Sequence, residues 1–415
     1  QTLVAEAVAA ATGLPSGPVH LNLPFREPLL TSREAGTPRR RPVTPPQDKP
    51  SMVDDLSDDL AGKKGLIVAG RSIESGFPDA VVGLAAATGF PILADPLSGI
   101  RHGDHRRDLV LGYGDALAAA GTLDTLLPEL VIRLGPIPTS KAIWRWLEDH
   151  PDVPQILVEA SGHDATQSAT TTIAASPAEV AGALTKQART PAPIEWTTAW
   201  QNRDDSAGSA IREAMARAEF SNEPAVARCV VENCPPHTLL TVGSSMPIRD
   251  IDTFGGSTGT LLRVFGNRGT NGIDGLVSSA LGAAATGYGA VAVVGDVSMF
   301  HDLNVLGTMV QLDLPLTVVV INNNGGGIFH FLPQSDPNLM DPATFETYLG
   351  TPHGTDFVAV GAALGIESLH ITDLDHLARM LSQPASRPRL LEVRTNRGDN
   401  VALHRSIMAA VRKAL

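Results

Sequence analysis

Apolar and polar positions alternate along this chain in short blocks. Compact aliphatic runs at 65–69, 91–94, 130–134 and 155–158 predict strands. Stretches with helical spacing, such as 77–88 and 140–148, separate them. A second series of strands is predicted at 239–242, 261–265, 290–294, 316–321 and 389–393, with a Gly/Ala-rich helix over 277–287. Strands that alternate with helices predict an α/β fold with parallel sheets flanked by helices. The clearest unit is at 290–324. An apolar run ends in Gly295-Asp296, and a helix is expected over 301–313 with Leu303, Leu306 and Met309 or Val310 on one face. A β-branched run then ends in Asn322-Asn323-Asn324. A right-handed crossover brings both runs to the same end of one sheet.

Between these blocks the pattern lapses. Residues 31–50 are rich in Pro and charge and predict a linker, in which Arg39-Arg40-Arg41 is read as solvated. Residues 186–205, with Thr190-Pro191-Ala192-Pro193, predict a second linker. The expected organisation is therefore a Rossmann-like central domain over 51–185 and a further α/β domain over 206–415. The turn Gly70-Arg71-Ser72 is not a full dinucleotide fingerprint, so no nicotinamide site is expected there. Residues 1–30 read as a helix and a strand that cannot bury their own faces. They are expected to be the tail of a domain whose body precedes Gln1.

With 415 residues, 43% hydrophobic and 18% charged, the chain has the composition of a globular enzyme of two or three domains. A net charge of −12 argues against nucleic acid or an anionic membrane surface as partner. No run reaches membrane-spanning length. The opening residues lack a basic leader, and Cys229 and Cys234 form no zinc pattern. Free thiols in a cytoplasmic protein are expected.

The chemistry is expected where strands end. Asp296, Asn323 and the Gly325 carbonyl form a hard-oxygen set suited to Mg²⁺, with coordination positions left for diphosphate oxygens. Asn323 follows Asp296 by 27 positions. Three more clusters start at strand ends: Ser244 to Arg249, Asn267 to Gly275, and Gly327 to Leu332. Arg249 and Arg268 on the ligand rim of an acidic protein point to anionic substrates. The competing reading pairs Arg249 with Asp250 or Asp252, and Arg268 with Asp274.

The Gly-Asp opening and Asn-Asn close resemble the thiamine-diphosphate motif, although Val297-Ser298 stands where its third residue is usually Gly. The Ser245 to Arg249 spacing, Asn267-Arg268-Gly269 with Gly272-Ile273-Asp274-Gly275, and Asn322-Asn323-Asn324-Gly325-Gly326 with Ile328-Phe329 sharpen the likeness. Together they resemble the 2-succinyl-5-enolpyruvyl-6-hydroxy-3-cyclohexene-1-carboxylate synthases of menaquinone biosynthesis. The turn Leu134 to Lys141, the segments 392–397 and 403–404, and the opening segment 17–29 are similar to the same family.

The resemblance implies a thiamine-diphosphate-binding fold. It implies Mg²⁺ or Mn²⁺ on Asp296, Asn323 and the Gly325 carbonyl, with Gly295, Val297 and Ser298 beside the diphosphate. Ser245, Arg249, Arg268 and Lys141 would hold substrate carboxylates. Ile273, Ile328, Phe329 and Leu332 would wall the thiazolium. The implied reaction decarboxylates 2-oxoglutarate and adds the resulting carbanion to isochorismate. It also implies a homodimer or homotetramer, and a cofactor-activating Glu on a pyrimidine-binding domain, for which these residues offer no candidate region. Two alternatives stand beside this reading. One is another thiamine-diphosphate 2-oxo-acid decarboxylase or acetolactate-type synthase; the other is a non-catalytic cofactor-binding fragment.

Overall fold

The computed structural model describes residues 2–14, 16–21, 59–218, 222–269 and 271–415. Among them, two all-parallel sheets of six strands carry the architecture. The first holds β1 (Gly65–Ala69), β2 (Ile92–Ala94), β3 (Val110–Leu111), β4 (Leu130–Leu134), β5 (Gln155–Val158) and β6 (Thr171–Ile173), in the order β3-β2-β1-β4-β5-β6. That order is the doubly wound, Rossmann-like one. The second holds β7 (Leu239–Val242), β8 (Arg263–Phe265), β9 (Ala290–Gly295), β10 (Leu316–Asn322), β11 (Glu367–His370) and β12 (Arg389–Arg394), in the order β11-β12-β10-β9-β7-β8. Strand order reverses between β7 and β9, which opens a crevice at their carboxyl ends.

The central strands are buried on both faces. Every residue of β1, β4 and β10 is buried, as near-continuous aliphatic runs require in a parallel sheet covered by helices. β10 lies parallel to β9 with Ile321 opposite Gly295, so Asp296 and Asn322–Asn323 leave the sheet at the same level. The expected helix over 301–313 is two pieces, Asp296–His301 and Val305–Leu312. It is Met309 that is buried, while Val310 is exposed. β3, β6 and β11 had no counterpart in the predicted strands.

Much of the segment 186–205 is helical. Only 188–193 is irregular, between helices Pro177–Gln187 and Ile194–Ala216. The prolines mark the helix start correctly, but Trp196 and Trp200 sit one turn apart and bury on the first sheet's core. The Trp196 indole N–H donates to the Gly65 carbonyl at 2.9 Å. The same core receives Ile407 and Val411 of the final helix, Arg397–Ala414. Near the amino end, helix Thr2–Thr12 is formed. Residues 17–21 of the strand expected over 17–24 have no strand structure, and its remainder, like the linker 31–50, lies outside the described residues.

A buried ion pair fastens the two sheets' units together. Arg101, following β2, is 1% exposed and pairs with Asp252, which is 3% exposed. The guanidinium also donates to the carbonyls of Ala94 at 2.7 Å and Asp252 at 2.8 Å. Nearby, the Thr253 hydroxyl donates to Asp115 at 2.6 Å. All these anchors hold one helix, Met246–Phe254, which follows β7 and carries Arg249.

Candidate active site

A cavity of about 350 Å³ opens at the carboxyl ends of β7, β9 and β10, at the reversal of strand order. Its wall includes Ser245, Arg249, Arg268, Ile273, Gly295, Asp296, Val297, Ser298, Asn323, Gly325, Ile328 and Phe329. The segments leaving β7, β8, β9 and β10 therefore meet in one place. Two expected residues are not among those lining it. Leu332 is exposed beyond the turn Gly327–Phe331. Lys141 is exposed at the first position of helix Lys141–Asp149.

Asp296 is 2% exposed. Its Oδ2 accepts from the Gly325 N–H at 2.8 Å and from His353 Nε2 at 3.1 Å. The Thr355 N–H donates to His353 Nδ1 at 3.0 Å, which leaves the proton on Nε2 to face Asp296. Burial pushes the Asp296 carboxyl above its ordinary value, opposed by these donors. Asn323 gives its amide N–H to Glu223 at 2.8 Å, while its Oδ1 is buried and accepts no hydrogen bond among the described residues. An orphaned acceptor in a protein interior calls for a donor or a cation. One carboxylate and one uncommitted amide oxygen, both lining the cavity, fit Mg²⁺ or Mn²⁺.

The turn that follows Asn323 requires glycine at position 325. Gly325 has φ +137°, and a Cβ there would lie 1.9 Å from the Gly350 carbonyl oxygen. Gly325→Ala should cost about 1–3 kcal/mol of folding stability, readable by chemical denaturation, because the backbone must leave this conformation. Loss of the Gly325–Asp296 bond should weaken cofactor binding in the same variant.

Neither rim arginine has the carboxylate partner that the competing reading required. Among the described residues, neither makes an ion pair. Asp252 is taken by Arg101, and Asp250 faces His404 at 3.2 Å. Among the described residues, the Arg249 guanidinium hydrogen-bonds a backbone atom, donating to the Ser245 carbonyl at 2.5 Å. Burial and then the charge of Arg268 lower the Arg249 pKa, and burial lowers that of Arg268. Ser245 caps the Arg249 helix at φ +74°, a costly conformation for a residue with a side chain.

Three neighbours of the site escaped sequence reasoning: Glu223, Thr351 and His353. Glu223 opens helix Glu223–Asn233, is 1% exposed and lines the cavity. Burial, then the nearby Asp250, pushes its carboxyl up to about 7, opposed by hydrogen bonds from Asn323 and Thr395. The capping signal Asn222-Glu223-Pro224 announces a helix start, but nothing local announces the partner at position 323.

Comparison with known proteins fits this geometry. The C-terminal TPP binding domain of thiamine pyrophosphate enzymes matches residues 263–393, and the middle domain of thiamine pyrophosphate enzymes matches residues 42–242. The chain is 38% identical over 436 residues to the 2-succinyl-5-enolpyruvyl-6-hydroxy-3-cyclohexene-1-carboxylate synthase of Geobacillus kaustophilus, covering 100% of this chain and 74% of the relative. It is 37% identical over 429 residues to the same-named protein of Bacillus velezensis, covering 100% and 73%. For that of Myxococcus xanthus the figures are 38% over 441 residues, covering 99% and 73%.

Proposed function

The chain belongs to the family of 2-succinyl-5-enolpyruvyl-6-hydroxy-3-cyclohexene-1-carboxylate synthases, and from that premise we propose that the cavity between β7 and β9 is where 2-oxoglutarate and isochorismate react. The function is the thiamine-diphosphate-dependent synthase reaction of menaquinone biosynthesis. Another decarboxylase of the superfamily is not favoured, since the relatives compared carry the synthase name. When bound, thiamine diphosphate supplies an electron-accepting thiazolium that lets 2-oxoglutarate lose CO₂ and its remaining carbons add to isochorismate.

The chain's own residues divide the remaining work. Asp296, Asn323 and the Gly325 carbonyl would hold Mg²⁺ or Mn²⁺ for the cofactor's diphosphate, and Gly295, Val297 and Ser298 line the same cavity. Ile273, Ile328 and Phe329 present apolar surface that keeps water from the reacting carbon. Arg249 and Arg268 bind substrate carboxylates, with Ser245 and the more remote Lys141 as further candidates. The observation that carries this reading is the pair of arginines sharing one cavity with no ion-pair partner among the described residues. Two like charges so placed repel unless an anion lies between them, and both substrates are dianions.

Arg249→Ala and Arg268→Ala should each lower kcat/KM for 2-oxoglutarate and isochorismate by about ten- to a hundredfold, the equivalent of about 1.5–3 kcal/mol for a lost charge-assisted pair. Cofactor affinity should stay near wild type. Lysine should rescue only partly, because it cannot grip a carboxylate with two parallel N–H groups. Unchanged kinetics in both alanine variants would make the arginines structural.

The core packing of helix Ile194–Ala216 supports a boundary between central and diphosphate-binding domains after that helix rather than at 186–205. Assembly as a homodimer or homotetramer is part of the same reading. Exposed Phe300, Leu339 and Tyr348, which follow β9 and β10, supply apolar surface for it.

A further inference from the structure

We infer that Glu223 is a positioning residue for the metal site, holding the Asn323 side chain by its amide nitrogen so that the amide oxygen is left for the cation. The inference rests on the metal reading of Asp296 and Asn323. A primary amide has a donor end and an acceptor end, and rotation by half a turn exchanges them. An asparagine that is to ligate a cation must be prevented from presenting its NH₂ instead. Glu223 does this with a carboxyl oxygen that accepts from two donors. Its Oε1 accepts from Asn323 Nδ2 at 2.8 Å and from the Thr395 hydroxyl at 3.0 Å. Turning the amide would place oxygen against oxygen. The opposite end, Oδ1, is the buried atom with no hydrogen-bond partner among the described residues.

The hold is rigid at both ends. Glu223 is 1% exposed and is the first residue of its helix, whose capping Asn222 side chain accepts from the Ala225 N–H at 2.8 Å. Thr395 is tied to the same strand end as Asn323, its N–H donating to the Asn322 carbonyl at 2.9 Å. The amide has little room, since a Cβ at Gly327 would lie 2.5 Å from Asn323 Nδ2. Glu223 reaches the pair from a segment 100 residues away. Residues that orient metal ligands from behind in this way tune affinity without touching the ion.

The test is Mn²⁺ affinity, followed by the electron paramagnetic resonance of free Mn²⁺ titrated into the intact enzyme with thiamine diphosphate present. Asn323→Asp replaces the donor by a second carboxylate facing Glu223, and should weaken Mn²⁺ binding by about tenfold or more. Adding Glu223→Gln restores a donor to the pair, so the double variant should return to within about threefold of wild type, a coupling that independent sites do not show. Glu223→Gln alone, which still offers an acceptor oxygen, should change affinity by less than about threefold. A merely structural role for Glu223 predicts no rescue. If Asn323→Asp is weakened and the double variant is equally weak or weaker, Glu223 does not position the amide. Asp296→Ala separates that failure from failure of the metal reading. Should it bind Mn²⁺ as wild type does, the metal assignment falls and the role of Glu223 with it. If it loses Mn²⁺ while the double variant gains no rescue, only the inference about Glu223 falls.

Discussion

Asp296→Ala should abolish metal-dependent binding of thiamine diphosphate, with an affinity loss beyond the tenfold to hundredfold typical of residues that only support a ligand. The carboxylate is the one charged oxygen among the expected ligands, and its removal leaves Asn323 and a backbone carbonyl to hold a divalent ion. Two further penalties follow from the geometry. The Gly325 N–H and His353 Nε2 lose their shared acceptor, and an unsatisfied buried donor costs about 1–3 kcal/mol. Gly325 therefore loses the bond that fixes its own carbonyl nearby. Asn323→Ala should cost less, because a neutral oxygen is removed and Glu223 keeps its bond to Thr395. Titration calorimetry with Mg²⁺ at fixed concentration reads both effects. An Asp296→Ala variant with wild-type cofactor affinity would end the assignment of the metal site.

The largest effect on stability is expected away from the chemistry, at Arg101. Arg101→Ala leaves the Asp252 carboxylate without its counter-charge at 3% exposure and should destabilise the protein by about 3–5 kcal/mol. Burial already pushes the Asp252 carboxyl well above its ordinary value, and Arg101 is the strongest opposing influence. The pH dependence has a definite sign. A carboxyl whose folded-state pKa lies above its unfolded value binds a proton more tightly when folded. Its contribution to stability therefore rises as pH falls toward the ordinary carboxylate range. Without Arg101 that upward displacement grows, so the deficit of the variant should shrink as pH is lowered from 7 toward about 5. Denaturant melts at several pH values test this. A deficit that does not vary with pH would mean that lost packing, not an unpaired charge, dominates. Since the Asp252 helix also carries Arg249, the variant should turn over substrate poorly even where it remains folded.

Much of the second unit was legible because its signals are local. β7, β9 and β10 are aliphatic runs ended by Gly, Asp or Asn, and hydrophobic burial with turn chemistry acts over a few residues. Asp296 and Asn323 could be placed together because a single crossover separates them. The short strands β3, β6 and β11 were not legible, since two to four residues carry too little periodicity and are strands only by pairing with a neighbour. At 186–205, Pro191 and Pro193 spoke for a linker, while Trp196 and Trp200 needed a core to pack against before their helix could be seen.

By itself, the sequence determined the α/β class, the succession of most strands, and the strand ends whose residues line one cavity. These follow from side-chain period, turn residues and motif spacing. Tertiary structure decided which charged groups are committed and which are free. Arg101 takes Asp252 across 151 residues and Glu223 takes Asn323 across 100, leaving Arg249 and Arg268 without a carboxylate partner among the described residues. The physical reason is that an ion pair or a held amide depends on distances of a few ångströms between segments that only the packing of two sheets brings together, and no local pattern encodes that distance.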